Sequence, residues 1–316
     1  MLSEVLSGAL YTMLIKLYAS VLQEGIDQKQ SKAVSRAEVM QVSGEPVVSA
    51  GGSRDPDSAR RAAAPKALFI ASERFKRTII RGLDYLPPAD VTFADYARAI
   101  LASDEASHPD SGEQRQWLID EFKRRDIARS KSSLEVETNF EHKAVSTLDL
   151  DELVTSEWVA YQFAERNRSL LKIPKGVPFE VRPRLDVTKL YYHQGEGKIR
   201  ARECLLKVSW TEAEPNKIDQ GLPKKRRITR GTTLAIDWAT KKVRALLTSE
   251  PAEQSQAGRD HFVRRLWEAR ELRLDEEALG PDGKPWLGVV QGRIQQQTLR
   301  VLGAARALHM TEVNHA

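Results

Sequence analysis

The stretch RTIIRGLDYLPPADVTFADYARAIL, Arg77 to Leu101, decides how the chain is organised. A proline ring crowds the backbone before it. Pro88 therefore drives Pro87 out of the α region, Pro87 does the same to Leu86, and a helix arriving from upstream must stop near Tyr85. Upstream, Leu68, Phe75, Ile79, Leu83 and Leu86 recur at helical spacing, with Arg74, Lys76, Arg77 and Arg81 elsewhere, which predicts one buried helical face. Downstream, Thr92 and Asp95 have the spacing of a capping box, in which each side chain serves the other's free backbone N–H. Phe93, Tyr96, Ala97, Ile100 and Leu101 then form a second inward stripe. The expectation is two helices held at a fixed angle by a rigid corner.

Toward the N-terminus, residues 1–23 read as a core helix with Leu10, Leu14, Leu17, Tyr18 and Val21 on one side. Glu4 and Lys16 interrupt the apolar run, and neither a basic leader nor a small-residue cleavage site flanks it, so a signal peptide or membrane span is not expected. A cytoplasmic location without a membrane partner follows as the expectation. Residues 24–66 are rich in Gly, Ser, Pro, Gln and charge without a sustained period, and are expected to be a flexible linker or insertion with room for one short helix around Lys32 to Met40.

Toward the C-terminus, residues 67–172 read as a helical domain. Ser111 and Gln114 open a helix that carries Trp117, Leu118 and Phe122 inward, 129–147 is polar and extended or irregular, and a long helix over 149–171 has Leu150, Leu153, Val154, Trp158 and Tyr161 on one side. Residues 173–274 change to alternation. Leu185 and Val187 switch parity to Leu190 and Tyr192, which suggests a bulge or bend. Cys204, Leu206, Val208 and Trp210 alternate with Leu205, Lys207 and Ser209, while Thr232–Trp238 and Val243–Leu247 flank a turn and read as a hairpin. The fold class is therefore α+β: an N-terminal helical region, then a small antiparallel sheet with one buried face covered by helices. The 149–171 helix or one over 258–274 is the candidate cover, and 275–316 read as a flexible tail.

At 316 residues, with 41% hydrophobic and 29% charged side chains, the composition is that of a globular protein of one or two domains. The single cysteine, Cys204, excludes an internal disulfide framework and reads as a small core residue. A net charge of +5 permits contact with nucleic acid without requiring it.

The run RGLDYLPPADVTFADYARAILASD resembles a segment in the C-terminal helical half of thermolysin- and fungalysin-like zinc metallopeptidases, the gluzincins. The opening Ser3-Glu4-Val5-Leu6-Ser7-Gly8-Ala9-Leu10-Tyr11 is similar to the helix that follows the metal site in that family, and the two segments together span about the first 130 residues. Such enzymes carry His-Glu-x-x-His on one helix, which sets two imidazoles on zinc and a glutamate as general base. Here the six histidines are His108, His142, His193, His261, His309 and His315; no two lie four apart. No catalytic residue, metal ligand or cofactor is carried over. The resemblance implies a non-catalytic subunit, from a split gene, a miscalled start or a truncation, with a zinc-bearing peptidase half or another protein as partner.

Other chemistry is thin. Lys224, Lys225, Arg226, Arg227 and Arg230 form the densest charge cluster, readable as a solvated loop joining two strands or as a phosphate-contacting patch on a nucleic-acid-binding module. No aromatic residues are interleaved with it, as a single-strand binder would want. Asp84, Asp90, Asp95 and Asp104 lack the ligand spacing of a calcium loop, and Asp90 and Asp95 read as helix caps and first-turn acids. His108 and His193 have no neighbouring ligand residue at metal spacing. Ser7-Gly8 lacks the pattern of a nucleophile elbow, and no glycine-rich phosphate-binding motif occurs.

Overall fold

The computed structural model describes residues 2–42, 56–108, 112–128, 130–181, 184–193, 197–215, 225–249, 252–268, 272–273, 287–290 and 293–296. The fold is α+β. Helices α1 (Leu2–Val42), α2 (Pro56–Tyr85), α3 (Phe93–Ser107) and α4 (Gly112–Arg124) precede strand β1 (Glu137–Phe140) and three short helices, α5 (Lys143–Ser146), α6 (Leu150–Thr155) and α7 (Glu157–Arg166). Strands β2 (Phe179–Val181), β3 (Leu185–His193), β4 (Gly197–Pro215), β5 (Lys225–Asp237) and β6 (Val243–Thr248) follow, then α8 (Ala252–Glu268) and strands β7 (Leu272–Arg273), β8 (Leu287–Val290) and β9 (Arg293–Gln296).

The proline corner forms as its local chemistry dictates. Helix α2 ends at Tyr85, and Thr92 and Asp95 make the reciprocal capping box that opens α3. The buried face of α2 differs from the one its large residues suggest. Ala63, Ala67, Ala71, Thr78, Gly82 and Tyr85 are buried, whereas Leu68 and Leu83 are exposed. Small residues go inward because two helices pack close against α2. Ala63 and Ala67 meet Leu22 of α1, and a Cβ on Gly82 would lie 2.9 Å from Ile100 Cγ1 of α3.

The expected linker over 24–66 is corrected in large part. Helix α1 runs on to Val42 and α2 begins at Pro56, a first-turn position where a missing N–H costs nothing. Pro65 lies inside α2, which alanines on either side and their packing on α1 sustain. The 149–171 helix is likewise two helices, because Ser156, extended at φ −107 and ψ 118, ends α6 and caps α7 through Val159 N–H. Trp158 and Tyr161 point outward instead of inward; Ala160, Phe163 and Ala164 take the buried side.

The main sheet has six strands in the order β1-β6-β5-β4-β2, with β3 also paired to β4, all antiparallel. The bulge or bend expected from the parity switch between Val187 and Leu190 does not form: β3 pairs with β4 without interruption from Leu185↔Leu205 to His193↔Gly197. The polar 129–147 stretch, expected to be extended or irregular, supplies edge strand β1 through Thr138↔Ala245, with Asn139 at φ 53. In the segment expected to be a tail β8 and β9 pair antiparallel, and the helix expected over 258–274 instead ends at Glu268, with β7 joining β8 in parallel.

Both faces of this sheet are buried, not one. Cys204, Leu206, Val208, Leu234 and Ile236 pack with α5, α6 and α7. On the other face Leu205, Ala235, Ala245 and Leu247 pack with Tyr85 and with Ala99, Ala102 and Ala106 of α3. Alternation that reads as inside and outside is here inside and inside, so three layers result. A third core joins α1, α2, α3 and α4 around Met13, Leu17, Ile100, Leu118 and Phe122. Cys204 is fully buried, and burial pushes its thiol up to about 12, which leaves it unreactive at neutral pH.

The β5–β6 turn is fastened by Asp237. Burial alone would raise its carboxyl pKa, but donation from Thr240 N–H (2.7 Å), Arg244 Nη2 (2.6 Å) and Thr240 Oγ1 (2.8 Å) outweighs it and the net shift is downward. A depressed folded-state value gives stability that is complete above about pH 4 and is lost as pH falls through the folded-state pKa. Asp237→Asn is expected to lower the urea midpoint at neutral pH and to flatten the acid-side decline below about pH 4. Equal acid slopes in mutant and parent would contradict the assignment.

Candidate functional site

The corner is the point where the two halves of the chain are fastened together. Leu86 carbonyl accepts from Thr233 Oγ1 at 2.9 Å and from Lys207 Nζ at 3.0 Å. Asp90 N–H donates to Thr229 carbonyl at 3.0 Å, and Asp90 Oδ2 accepts from Thr229 N–H at 2.7 Å. Asp90 therefore extends the hydrogen bonding of β5; it caps no helix, which corrects its reading as a first-turn acid. Pro88 lies so close to the sheet that a Cβ on Gly231 would be 2.8 Å from Pro88 O.

Beneath the corner is the densest group of buried ionisable side chains between helix and sheet. Glu203, fully buried, accepts from Tyr85 Oη at 3.0 and 3.1 Å, and its Oε2 is 3.2 Å from Lys189 Nζ. Lys189 also faces Asp84 at 3.5 Å and sits 4.3 Å above the Tyr85 ring. Burial pushes the Lys207 amine down from its ordinary value, with Lys189 adding to the effect and Asp84 opposing it. The arrangement holds opposite charges in contact where water is excluded, so its members are costly to remove singly. Among the described residues the strand of Lys189 pairs only with β4, and an inward charge at such an edge discourages pairing with another chain.

The sequence-level candidates fall elsewhere. Lys224 lies outside the described residues. Lys225 and Arg227 are exposed, but on strand β5 opposite Pro215 and Ala213, not in a loop. Arg226 is opposite Glu214. Arg230 is buried, opposite Trp210, with Nε 3.7 Å from Glu212 Oε2. The described members of the cluster thus lie along a strand whose neighbour supplies carboxylates, and Arg230 among them is buried.

The four aspartates have separate partners: Asp84 faces Lys189, Asp90 Thr229, Asp95 Thr92 and Arg98, and Asp104 Thr78 and Arg115. His108 does have a carboxylate neighbour, which corrects its reading as isolated: Nδ1 is 3.3 Å from Asp104 Oδ1, one helical turn back. Arg74 and Arg115 approach the same carboxylate at 3.9 and 3.4 Å, so the group is filled by cations of the protein itself. His142 caps α5 by accepting Ala144 N–H at its Nδ1, and His193 ends β3 opposite Gly197. Among the described residues no group of three or more His, Cys, Asp or Glu is placed to hold a metal ion.

On the outside of the helical half, large apolar side chains face solvent. Tyr11 (64% exposed) and Ile15 lie one turn apart on α1, and Leu68, Phe69 (68%), Ile80 and Leu83 lie along α2. Glu4–Asp27 is long and apolar enough to cross a bilayer, with a mean hydropathy of 1.6, while its Met13 and Leu17 are buried in the helical core. Comparison with protein-family models, with curated proteins and with solved structures finds no match.

Proposed function

We propose that the chain is a non-catalytic, partner-binding protein of the cytoplasm, whose helical half resembles the C-terminal half of gluzincin-like metallopeptidases. The outer face of α1 and α2 docks a separate zinc-bearing half or another protein. The observation that carries this reading is the exposure of Tyr11, Ile15, Leu68, Phe69, Ile80 and Leu83 on two adjoining helices. Single exposed apolar residues are ordinary, but six large ones on one helical pair are what an interaction face presents. The lack of paired imidazoles supports the absence of hydrolytic zinc chemistry in this chain.

The isolated protein is expected to associate at high concentration and to enhance the fluorescence of an apolar dye. The doubly substituted Tyr11→Ser, Phe69→Ser protein should do both less, at an unchanged melting temperature. Light scattering behind a sizing column and a dye titration measure this. A strictly monomeric, dye-silent parent protein removes the docking face, and flotation with vesicles would assign that face to lipid. Peptide cleavage abolished by a chelator would overturn the non-catalytic reading.

The second reading, a basic module for nucleic acid, rests on the exposure of Lys225 and Arg227. Oligonucleotide affinity that falls steeply with salt and is lost in Lys225→Ala, Arg227→Ala would favour it over the first.

A further inference from the structure

The amine of Lys189 is enclosed between two carboxyl groups and hydrogen-bonded to neither. Its side chain is 5% exposed, and Nζ lies 3.2 Å from Glu203 Oε2, 3.5 Å from Asp84 Oδ2 and 4.3 Å from the centre of the Tyr85 ring. Nζ nevertheless donates no hydrogen bond among the described residues. A buried ammonium ordinarily replaces its lost hydration by donating to its neighbours. The two carboxyl groups differ in their settings. Glu203 is fully buried and held by the Tyr85 hydroxyl. Asp84 stands in the last turn of α2 with its side chain 38% exposed. The neighbouring amine, Lys207, is engaged with the Leu86 carbonyl at 3.0 Å, so Lys189 is the amine that faces both acids.

Amide formation needs an amine against a carboxyl group, a second carboxylate within proton-transfer reach of the nitrogen, and little water. We propose that Lys189 and Asp84 condense to a side-chain amide, with Glu203 as the catalytic base, so that β3 is joined covalently to the end of α2. One proton of the ammonium passes to the Asp84 carboxylate, which leaves a neutral amine and a neutral acid. The Nζ lone pair attacks Asp84 Cγ while Glu203 takes a second proton from the nitrogen. A C–N bond forms, the C–OH bond breaks, and the hydroxyl leaves with the proton returned by Glu203 as water. Nothing is oxidised or reduced, and no further reactant is consumed. The half-exposed side of Asp84 is the way out for the water. The product is favoured because it removes a buried ammonium and an acidic charge from the negative end of a helix. The linkage depends neither on the α1–α2 face nor on the metallopeptidase resemblance.

The test is the intact mass of the purified full-length protein. It should fall short of the sequence mass by one water, and trypsin should release a branched peptide that joins residues 82–98 to 185–198 and is uncut after Lys189. Lys189→Met should show its full sequence mass. So should Glu203→Gln, which keeps the shape of the side chain but cannot take the proton. In Asp84→Asn the leaving group becomes the side-chain nitrogen, so one ammonia should be lost in place of the water. Asp84 is half-exposed, and this variant tests the linkage even where a substitution of Lys189 or Glu203 unfolds the protein. A parent protein of full sequence mass overturns the proposal. It is also overturned if a water is missing but peptides 82–98 and 185–198 are recovered without a link between them, as a succinimide at Asp282-Gly283 or a bond from Lys189 to Glu203 would give.

Discussion

Glu203→Ala is expected to cost about 3–5 kcal/mol of folding stability, the range for removing one partner of a buried ion pair. The substitution leaves Lys189, 5% exposed, facing the space the carboxylate filled, with the half-exposed Asp84 3.5 Å away as remaining counter-charge. Tyr85→Phe keeps the ring under the lysine and loses only the hydroxyl donated to Glu203, so a smaller loss of about 1.5–3 kcal/mol is expected. Glu203→Met combined with Lys189→Met should recover most of what Glu203→Ala loses, because neither charge is then stranded. Urea unfolding at neutral pH measures all three. A double substitution less stable than Glu203→Ala would show that the group does more than hold the corner on the sheet.

Gly231→Ala should cost about 1–3 kcal/mol, the usual range for forced overpacking. Its new methyl would meet two backbone oxygens, Pro88 O and Val208 O, each at 2.8 Å. Neither can swing aside as a flexible side chain could. Val208 is locked in the β4–β5 ladder opposite Thr232, and Pro88 follows a proline of fixed φ. The corner is the weaker of the two and should lift. Amide exchange at Asp90, whose N–H reaches Thr229 O, should then quicken more than exchange in the β5–β6 hairpin. Uniform quickening across both regions would instead mean that the methyl disturbs the whole sheet and that the corner is no separate joint.

Elements set by short-range chemistry were legible in the residues that make them. Two successive prolines ended α2 at Tyr85, Thr92 and Asp95 capped α3, and the alternation from Thr232 to Leu247 gave the hairpin. Large-residue periodicity was misleading in α2 and α7. There the buried positions are mostly small, with Tyr85 and Phe163 as the large ones and Phe75 and Ile79 partly buried, while Leu68, Leu83 and Trp158 stay outside. Periodicity weights side chains by hydrophobicity, whereas close helix contact selects by size. The stacking of Trp158, Tyr161 and Phe179 was hidden for a related reason, since Phe179 is on a strand and joins two helical rings only through the fold. Of the 224–230 cluster, the described residues lie on a strand with a carboxylate-bearing neighbour where a loop was expected, a pairing set by the fold.

By itself the sequence determined the α+β class, the rigid corner, the Thr92–Asp95 cap, the hairpin and the absence of a paired-histidine motif. All of these depend on residues within a few positions of one another. Tertiary structure alone decided that the sheet is covered on both faces, that Asp90 fastens the corner to β5, that Tyr85, Lys189 and Glu203 meet, and which apolar side chains remain in water. Each of those outcomes depends on which elements come together across long separations, and that is set by packing volume and by the pairing of buried charge.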